Sequence, residues 1–431
     1  MSPWRYFGWV VVAVSLFNLI INMGTRNSFS VFLVAISGEF SWSRSGIAGV
    51  YSLSSLLFGL LAPFMGRLLD RFDARRMVPI SAAIFAVGLF LSSMASDLWH
   101  FYLTFGIISG IGACGTWIVP HTLMISRWFQ RRRGLAMSIA YMGTGLGIFA
   151  VVPITQYLID ILGWRKAFMC QGLGVLLLMA PLSYLVFRRV PPQTSPSSTV
   201  PPANEAVDAP AYSEKHRNME QGEIWTLRLA RRTVFFWAIF FIYIFTSVGI
   251  IGVVIHLAAY LVSLGYSKMT AAMALSIMGL ISAPGRILFG LLTDRISGRF
   301  ALILSYTCNA VGILALLGLY YVRLPIILYF FVFIFGIAFG ARTSVVGPMV
   351  ANAFQGPNFG LIFGFITIGM GLGATIGPWL MGYLYDITGD YRASIMVGLV
   401  SVFMGIICAC FTGPKNLVRS RSKPFPDSQA G

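Results

Sequence analysis

Charge is what this sequence has least of. Only 10% of its 431 residues are charged, where a soluble domain carries about 25%, and that shortage excludes a water-soluble globule. Acids are scarcer still, with 14 Asp and Glu against 31 Lys and Arg. Histidine occurs four times and cysteine five times, with no metal-like spacing, no His-Glu-x-x-His run and no cysteine pair in loops that an oxidising compartment would join. An integral-membrane enzyme needs a nucleophile–base pair or a metal cluster, and neither is offered, so no catalytic residue, metal or cofactor is expected. A cleavable signal peptide is also missing: the first apolar stretch outruns a signal h-region and has no small-residue cleavage site, so it reads as a first membrane helix.

What is present is apolar length. Hydrophobic residues make up 57% of the chain and mean hydropathy is +0.79. Runs long enough to cross a hydrocarbon core at about 20 residues each recur along the chain. Alternation with a period of two is absent, which excludes a barrel and leaves helices. The runs fall at 8–36, 45–65, 77–95, 101–126, 134–159, 167–187, 233–262, 269–290, 301–321, 325–351, 359–385 and 393–412. The expected class is therefore all-α and integral to a membrane, with twelve transmembrane helices. They are expected as two pseudo-symmetric six-helix bundles, at 1–187 and 233–413. Between them, 188–232 switches to Pro, Ser, Thr, Glu and Lys, beginning VPPQTSPSSTVPP. That composition reads as a cytoplasmic linker, and 414–431 as a cytoplasmic tail.

A net charge of +17 suggests nucleic acid in a soluble protein, but here the positions decide. Arg5, Arg67, Arg71, Arg75, Arg76, Arg127, Arg131, Arg132, Arg133, the linker, Arg295, Arg299 and the tail hold most of the basic residues on one side. The other side has only Arg44, Arg165, Lys166, Lys268, Arg323 and Arg392. The positive-inside rule then puts both termini and the linker in the cytoplasm, in an inner or plasma membrane. The basic excess faces anionic lipid, not nucleic acid. The protein is expected to be monomeric.

The two halves repeat one another. Gly134/Gly360, Gly143/Gly369, Gly145/Gly371, Gly147/Gly373, Asp160/Asp386 and Gly163/Gly389 are each 226 residues apart. The fifth and eleventh helices are therefore counterparts, and the halves are parallel repeats, as in major facilitator transporters. The glycines let helix backbones approach closely, and a seam of them in each half permits the halves to rock. A second repeat, Gly66-Arg67-Leu68-Leu69-Asp70-Arg71 and Gly290-Leu291-Leu292-Thr293-Asp294-Arg295, resembles the major facilitator loop signature G-x-x-x-D-R-x-G-R-R. Asp73 stands where that family usually has glycine. The pairs Asp70-Arg71 and Asp294-Arg295 are expected to gate the cytoplasmic face, each carboxylate on a helix N-terminus and each arginine on carbonyls or acids across the interface.

All 14 acids lie in loops, helix ends or tails, yet Arg26, Arg286 and Arg342 lie within apolar helices. An unpaired arginine at the bilayer centre costs at least about 2.5–3.5 kcal/mol. The alternatives are snorkelling, capping of helix carbonyls, or an anionic substrate that brings the missing charge. A guanidinium matches a carboxylate through two parallel hydrogen bonds.

The segment SAPGRILFGLLTDR around Arg286 resembles that of the monocarboxylate transporters and the related bacterial oxalate:formate antiporters. SRWFQRRRGLAMSIAYMGTGLG, from Ser126 to Gly147, is similar to the same family's fifth-helix signature. The resemblance implies transport of small organic carboxylates, such as lactate, pyruvate or a small dicarboxylate, by alternating access, with Arg286 holding the carboxylate. Ser282 stands where the animal branch has an aspartate, and Asn27 beside Arg26 where that branch has a lysine. The eleventh helix lacks the antiporter branch's second basic residue, for which Arg342 is a candidate substitute. Proton symport and anion exchange both stay open. If protons are coupled, His256 and His121 are the intramembrane side chains expected to carry them, and His256 lies in HLAAYLVSLGYS, similar to the family's outer seventh helix. Trp117 and Tyr141 are candidate cavity-lining residues by helix position. An exporter of another amphipathic or drug-like anion, and a carboxylate sensor that merely keeps the fold, are the other classes.

The gate expectation is tested directly. Asp70→Asn and Asp294→Asn should each weaken closure of the cytoplasmic face and raise the accessibility of cysteines introduced there. Unchanged labelling in both variants would assign these loops to insertion or folding instead.

Overall fold

The structure, a computed structural model, describes residues 4–129, 133–187, 225–354 and 358–413. The expected linker to residue 224 and the tail from 414 lie outside the described residues, as do the side chains of Asp70, Arg71 and Asp294. Every regular element among the described residues is helical.

Among the described residues, eleven continuous stretches are long and apolar enough to cross a membrane. One of them, Gly134–Val186, has 53 residues, far beyond the roughly 20 that one crossing needs. Its backbone turns at Gly163, at φ +80°, and makes two spans of it, which completes the expected twelve. Gly389, the counterpart of Gly163, closes the eleventh span Phe359–Thr388 at φ +72°, its N–H donating to the Tyr385 carbonyl. Both turns use a left-handed conformation that glycine adopts without a Cβ clash. Span starts are capped by short polar side chains: Ser43 accepts from the Gly46 N–H at 3.1 Å, Thr233 from Phe236 at 3.2 Å and Ser267 from Thr270 at 3.0 Å. Each hydroxyl satisfies one of the orphan amides at a helix start.

Among the described residues three spans are interrupted, the first and tenth only slightly, since Ser28 and Gly340 at their junctions keep right-handed helical angles. The first is Trp4–Asn27 continued by Phe29–Glu39. The fourth changes from a π-helix at Tyr102–Ser109 to Gly110–Gly115, and restarts after Trp117 as Ile118–Trp128. The tenth is Pro325–Phe339 and Ala341–Ala353, joined at Gly340. Arg26 lies two residues before the interruption at Ser28 and Arg342 two residues after that at Gly340, while Trp117 sits inside the third. Broken helices expose backbone polar groups at membrane depth, which is tolerated only where protein or a water-lined space receives them.

The halves meet where the second span, Arg44–Arg71, packs on the eleventh, where the fifth packs on the eighth, Lys268–Arg295, and where the outer part of the first packs on the seventh, Val234–Ser263. The repeated glycines divide this work. A Cβ at Gly143 or Gly147 would lie 2.3 Å from the carbonyls of Leu16 and Ile20 on the first span, and one at Gly369 or Gly373 would strike Phe240 and Ile244 on the seventh. The middle glycine of each triplet faces the other half. Gly145 lies against Gly279 and Ser282, and Gly371 against Gly59.

Among the described residues, the hydrogen bonds between halves run from the face opposite the termini down to Arg286. At that loop face Asp386, ending the eleventh span, accepts from the backbone N–H groups of Arg44 at 2.8 Å and Ser45 at 2.9 Å. These are free amides at the start of the second span, where a carboxylate also meets the positive end of the helix dipole. The Arg44 guanidinium donates to the Tyr391 hydroxyl at 2.6 Å and lies 4.2 Å from the Tyr385 ring centroid.

This clamp should hold the loop face shut. Asp386→Asn is expected to shift the equilibrium toward an open loop face by about two- to fivefold, from the about 0.3–1 kcal/mol of an exposed charge on a helix end. The readout is the reaction of a cysteine at Ser276, in a cysteine-free background, with an impermeant maleimide. Ser276 is buried against the fifth span and bonded to the Phe149 carbonyl, so labelling at the unaltered rate would rule the clamp out.

Candidate functional site

Each intramembrane arginine is met by neutral oxygens. Arg26, 7% exposed, donates to Ser54 at 3.2 Å and Ser55 at 3.4 Å on the second span. Its guanidinium lies 4.8 Å from the Phe58 ring centroid and 5.4 Å from that of Tyr51. Arg342 donates to Ser247 at 2.7 Å and Thr246 at 3.3 Å on the seventh span, 5.5 Å from the Tyr243 ring. Arg286, on the eighth span, donates to the Tyr141 carbonyl at 2.6 Å and to the Thr144 hydroxyl, both on the fifth. Arg26 and Arg342 are thus held within their own halves, whereas Arg286 reaches into the other one. The Arg286 Nε–H is buried and has no hydrogen-bond partner.

The ion pairs among the described residues are Asp97–His100, Glu39–Arg165 and Asp390–Arg392, all at span ends on the loop face. The Arg392 guanidinium holds the Asp390 carboxyl below its ordinary range. No acid pairs with Arg26, Arg286 or Arg342 among the described residues. Hydroxyls and carbonyls solvate a guanidinium without cancelling its charge, so these three positions remain electropositive.

The remaining candidates separate by location. Trp117 sits in the fourth-span break with its ring edge-on to Phe58 at 5.4 Å, which connects it to Arg26. Tyr141 contributes its carbonyl to Arg286 and meets the Thr122 hydroxyl at 2.5 Å through its phenol. Asn27 turns its amide back to the Met23 carbonyl at 2.9 Å, away from Arg26, because neighbours on a helix do not share a face. His121 is fully buried between Ser15 at 3.2 Å and the Thr116 carbonyl at 3.3 Å.

His256 lies near the loop end of the seventh span. Its Nε2 pairs with the Pro378 carbonyl at 2.8 Å, so that nitrogen carries the proton, and its Nδ1 faces the Tyr391 hydroxyl at 3.4 Å. A small cavity beside it is lined by Tyr260, Leu316, Met381 and Ser394. His256 therefore belongs with the clamp of Arg44, Tyr391 and Asp386 and is not brought to the three arginines. Arg295 ends the eighth span, exposed.

The sequence reading had not singled out Ser54, Ser55, Thr144, Thr246, Ser247 or Gly340. A Cβ at Gly340 would lie 2.5 Å from Arg286 Cγ and 2.8 Å from its Nε. The glycine at this position thus leaves room for that side chain. Adjacent hydroxyl residues inside an apolar run, Ser54-Ser55 and Thr246-Ser247, are the one sequence signal that two of these groups carried.

Comparison with known proteins agrees with this architecture. The profile of the Major Facilitator Superfamily matches residues 15–341 and 299–430. Monocarboxylate transporter 12 of Mus musculus is 27% identical over 97% of this chain and 88% of its own length. Monocarboxylate transporter 13 of Bos taurus is 29% identical over 91% and 86%, and monocarboxylate transporter 2 of Homo sapiens 26% over 90% and 82%. A bacterial homologue of the human lysosomal transporter Spinster, in an inward-facing and occupied conformation, superposes with a TM-score of 0.72 at 16% identity, covering 99% of this chain and 100% of that one. With twelve spans, paired glycine crossings between the fifth and eighth and the second and eleventh, and a family profile across both halves, the chain belongs to the Major Facilitator Superfamily.

Proposed function

We propose that this protein is a secondary active transporter of small organic carboxylates, working by alternating access with Arg286 as the principal carboxylate ligand. The observation that carries the reading is a set of three membrane-embedded guanidiniums with no acid partner among the described residues, one of which crosses between the halves. An anion is the missing half of that arrangement. The similarity to monocarboxylate transporters 12, 13 and 2 supports the same class. Arg26 and Arg342 set the potential of the pathway, and Trp117 and Tyr141 line it. On the reading that both termini are cytoplasmic, the contacts at the loop face support a state closed to the outside. The Asp70-Arg71 and Asp294-Arg295 pairs, in the last turns of the second and eighth spans, close the opposite face in the other state.

Arg286→Lys keeps the charge but loses the planar fork. Uptake of labelled pyruvate, L-lactate or oxalate into proteoliposomes should fall at least about tenfold, while the protein inserts and purifies as a single species. Uptake by Arg286→Ala equal to that of the unaltered protein would overturn the assignment.

Coupling follows from the same charges. An empty carrier that closes around unneutralised guanidiniums must desolvate them, and a bound anion removes that barrier. Unlabelled anion inside the liposomes should therefore accelerate uptake of labelled anion several-fold, with little difference between about pH 6 and pH 8. Accumulation driven by a proton gradient and abolished in His256→Ala would establish symport in place of exchange.

A further inference from the structure

The Thr144 hydroxyl is oriented before the arginine reaches it. It donates to the carbonyl of Tyr141 one turn earlier on its own helix, at 2.8 Å, so its lone pairs are left for a donor. The Arg286 Nη1 supplies that donor, bonding the Thr144 oxygen and the same Tyr141 carbonyl together. Thr144 is 3% exposed, which leaves solvent little access to compete. On the other side the shaft of Arg286 lies against Gly340, where any Cβ would strike Cγ and Nε. The guanidinium is thus aimed out of its own half and onto the fifth span.

We infer that Thr144 is a positioning residue that occupies Arg286 in the anion-free, loop-face-closed state. It competes with the substrate carboxylate for the same N–H groups. The inference rests on the reading of Arg286 as the carboxylate ligand. Two parallel hydrogen bonds to a carboxylate require a pair of guanidinium N–H groups. Nε is buried against Gly340, which leaves the Nη1–Nη2 pair, and Nη1 is committed to the fifth span. Capturing an anion therefore releases a tie between the halves. The same hydroxyl then sets two quantities: the fraction of carrier with a free guanidinium, which scales apparent affinity, and the stability of the closed loop face.

Thr144→Val removes the acceptor at nearly constant volume, and Thr144→Ser retains it. In the absence of any anion, labelling of a cysteine at Ser276 by an impermeant maleimide should rise roughly fivefold or more in Thr144→Val and stay unchanged in Thr144→Ser. Gly340→Ala, which displaces the guanidinium without touching Thr144, should raise it in the same direction and keeps the test open if the valine variant fails to fold. With labelled pyruvate as the probe in exchange, the half-saturating concentration should fall about threefold or more in Thr144→Val and not in Thr144→Ser.

Unaltered labelling in both Thr144→Val and Gly340→Ala, a serine variant that behaves like valine, or a half-saturating concentration that rises would overturn the inference. Failure of the carboxylate reading looks different. Arg286→Ala would then exchange pyruvate normally, while the anion-free labelling would still report whether the tie exists.

Discussion

A guanidinium inside hydrocarbon must be hydrogen-bonded by something, and much of this structure is arranged around that requirement. Three such groups lie on the first, eighth and tenth spans, and each is solvated by oxygens from the second, fifth or seventh. Solvation by neutral groups lowers the cost of burial without removing the charge. For Arg286 the two spans concerned, the fifth and the eighth, are held together by the close crossing of Gly145 on Gly279.

The same economy governs how the halves adhere. Their hydrogen bonds among the described residues use backbone amides, carbonyls and hydroxyls, with two guanidiniums, Arg44 and Arg286, and one carboxylate, Asp386, on two backbone N–H groups. Such contacts are individually weak, so the closed face can be left again by a carrier that must cycle. Asp160 occupies the position of Asp386 in the first half but accepts from Gln156 within its own span at 2.8 Å. The repeat in sequence is therefore not a repeat in bonding.

Much of the architecture was legible before any coordinates. Apolar runs report span positions because burial in lipid is a local property of about 20 consecutive residues, and the 226-residue offset marks the two halves because matching crossings need matching glycines. The split of the fifth and sixth spans was legible in the break between two runs and is made by Gly163. What could not be read was partnership. Arg286 stands out as a charge in an apolar run, but Thr144 is 142 residues away and differs in no way from a packing threonine. Asp386 is visible as part of the repeat, yet its partners are peptide N–H groups, which every residue but proline possesses. His256 resembled a group facing substrate, and only the fold sets it behind Tyr391 with the clamp.

The middle glycines of the two triplets have a mechanical consequence. A helix crossing built from side chains interlocks ridges with grooves, and sliding it means lifting each knob out of its hole. At Gly371 against Gly59 bare backbone faces bare backbone, and at Gly145 against Gly279 glycine backbones touch with the Ile148 and Ser282 side chains beside them. Such contacts have few teeth. They resist separation, because the surfaces are close, but offer little resistance to shear or rotation about the touching point. The four-glycine arrangement therefore behaves as a pair of plain bearings, one on each side of the molecule, on which two rigid bundles can turn while the distance between them stays fixed.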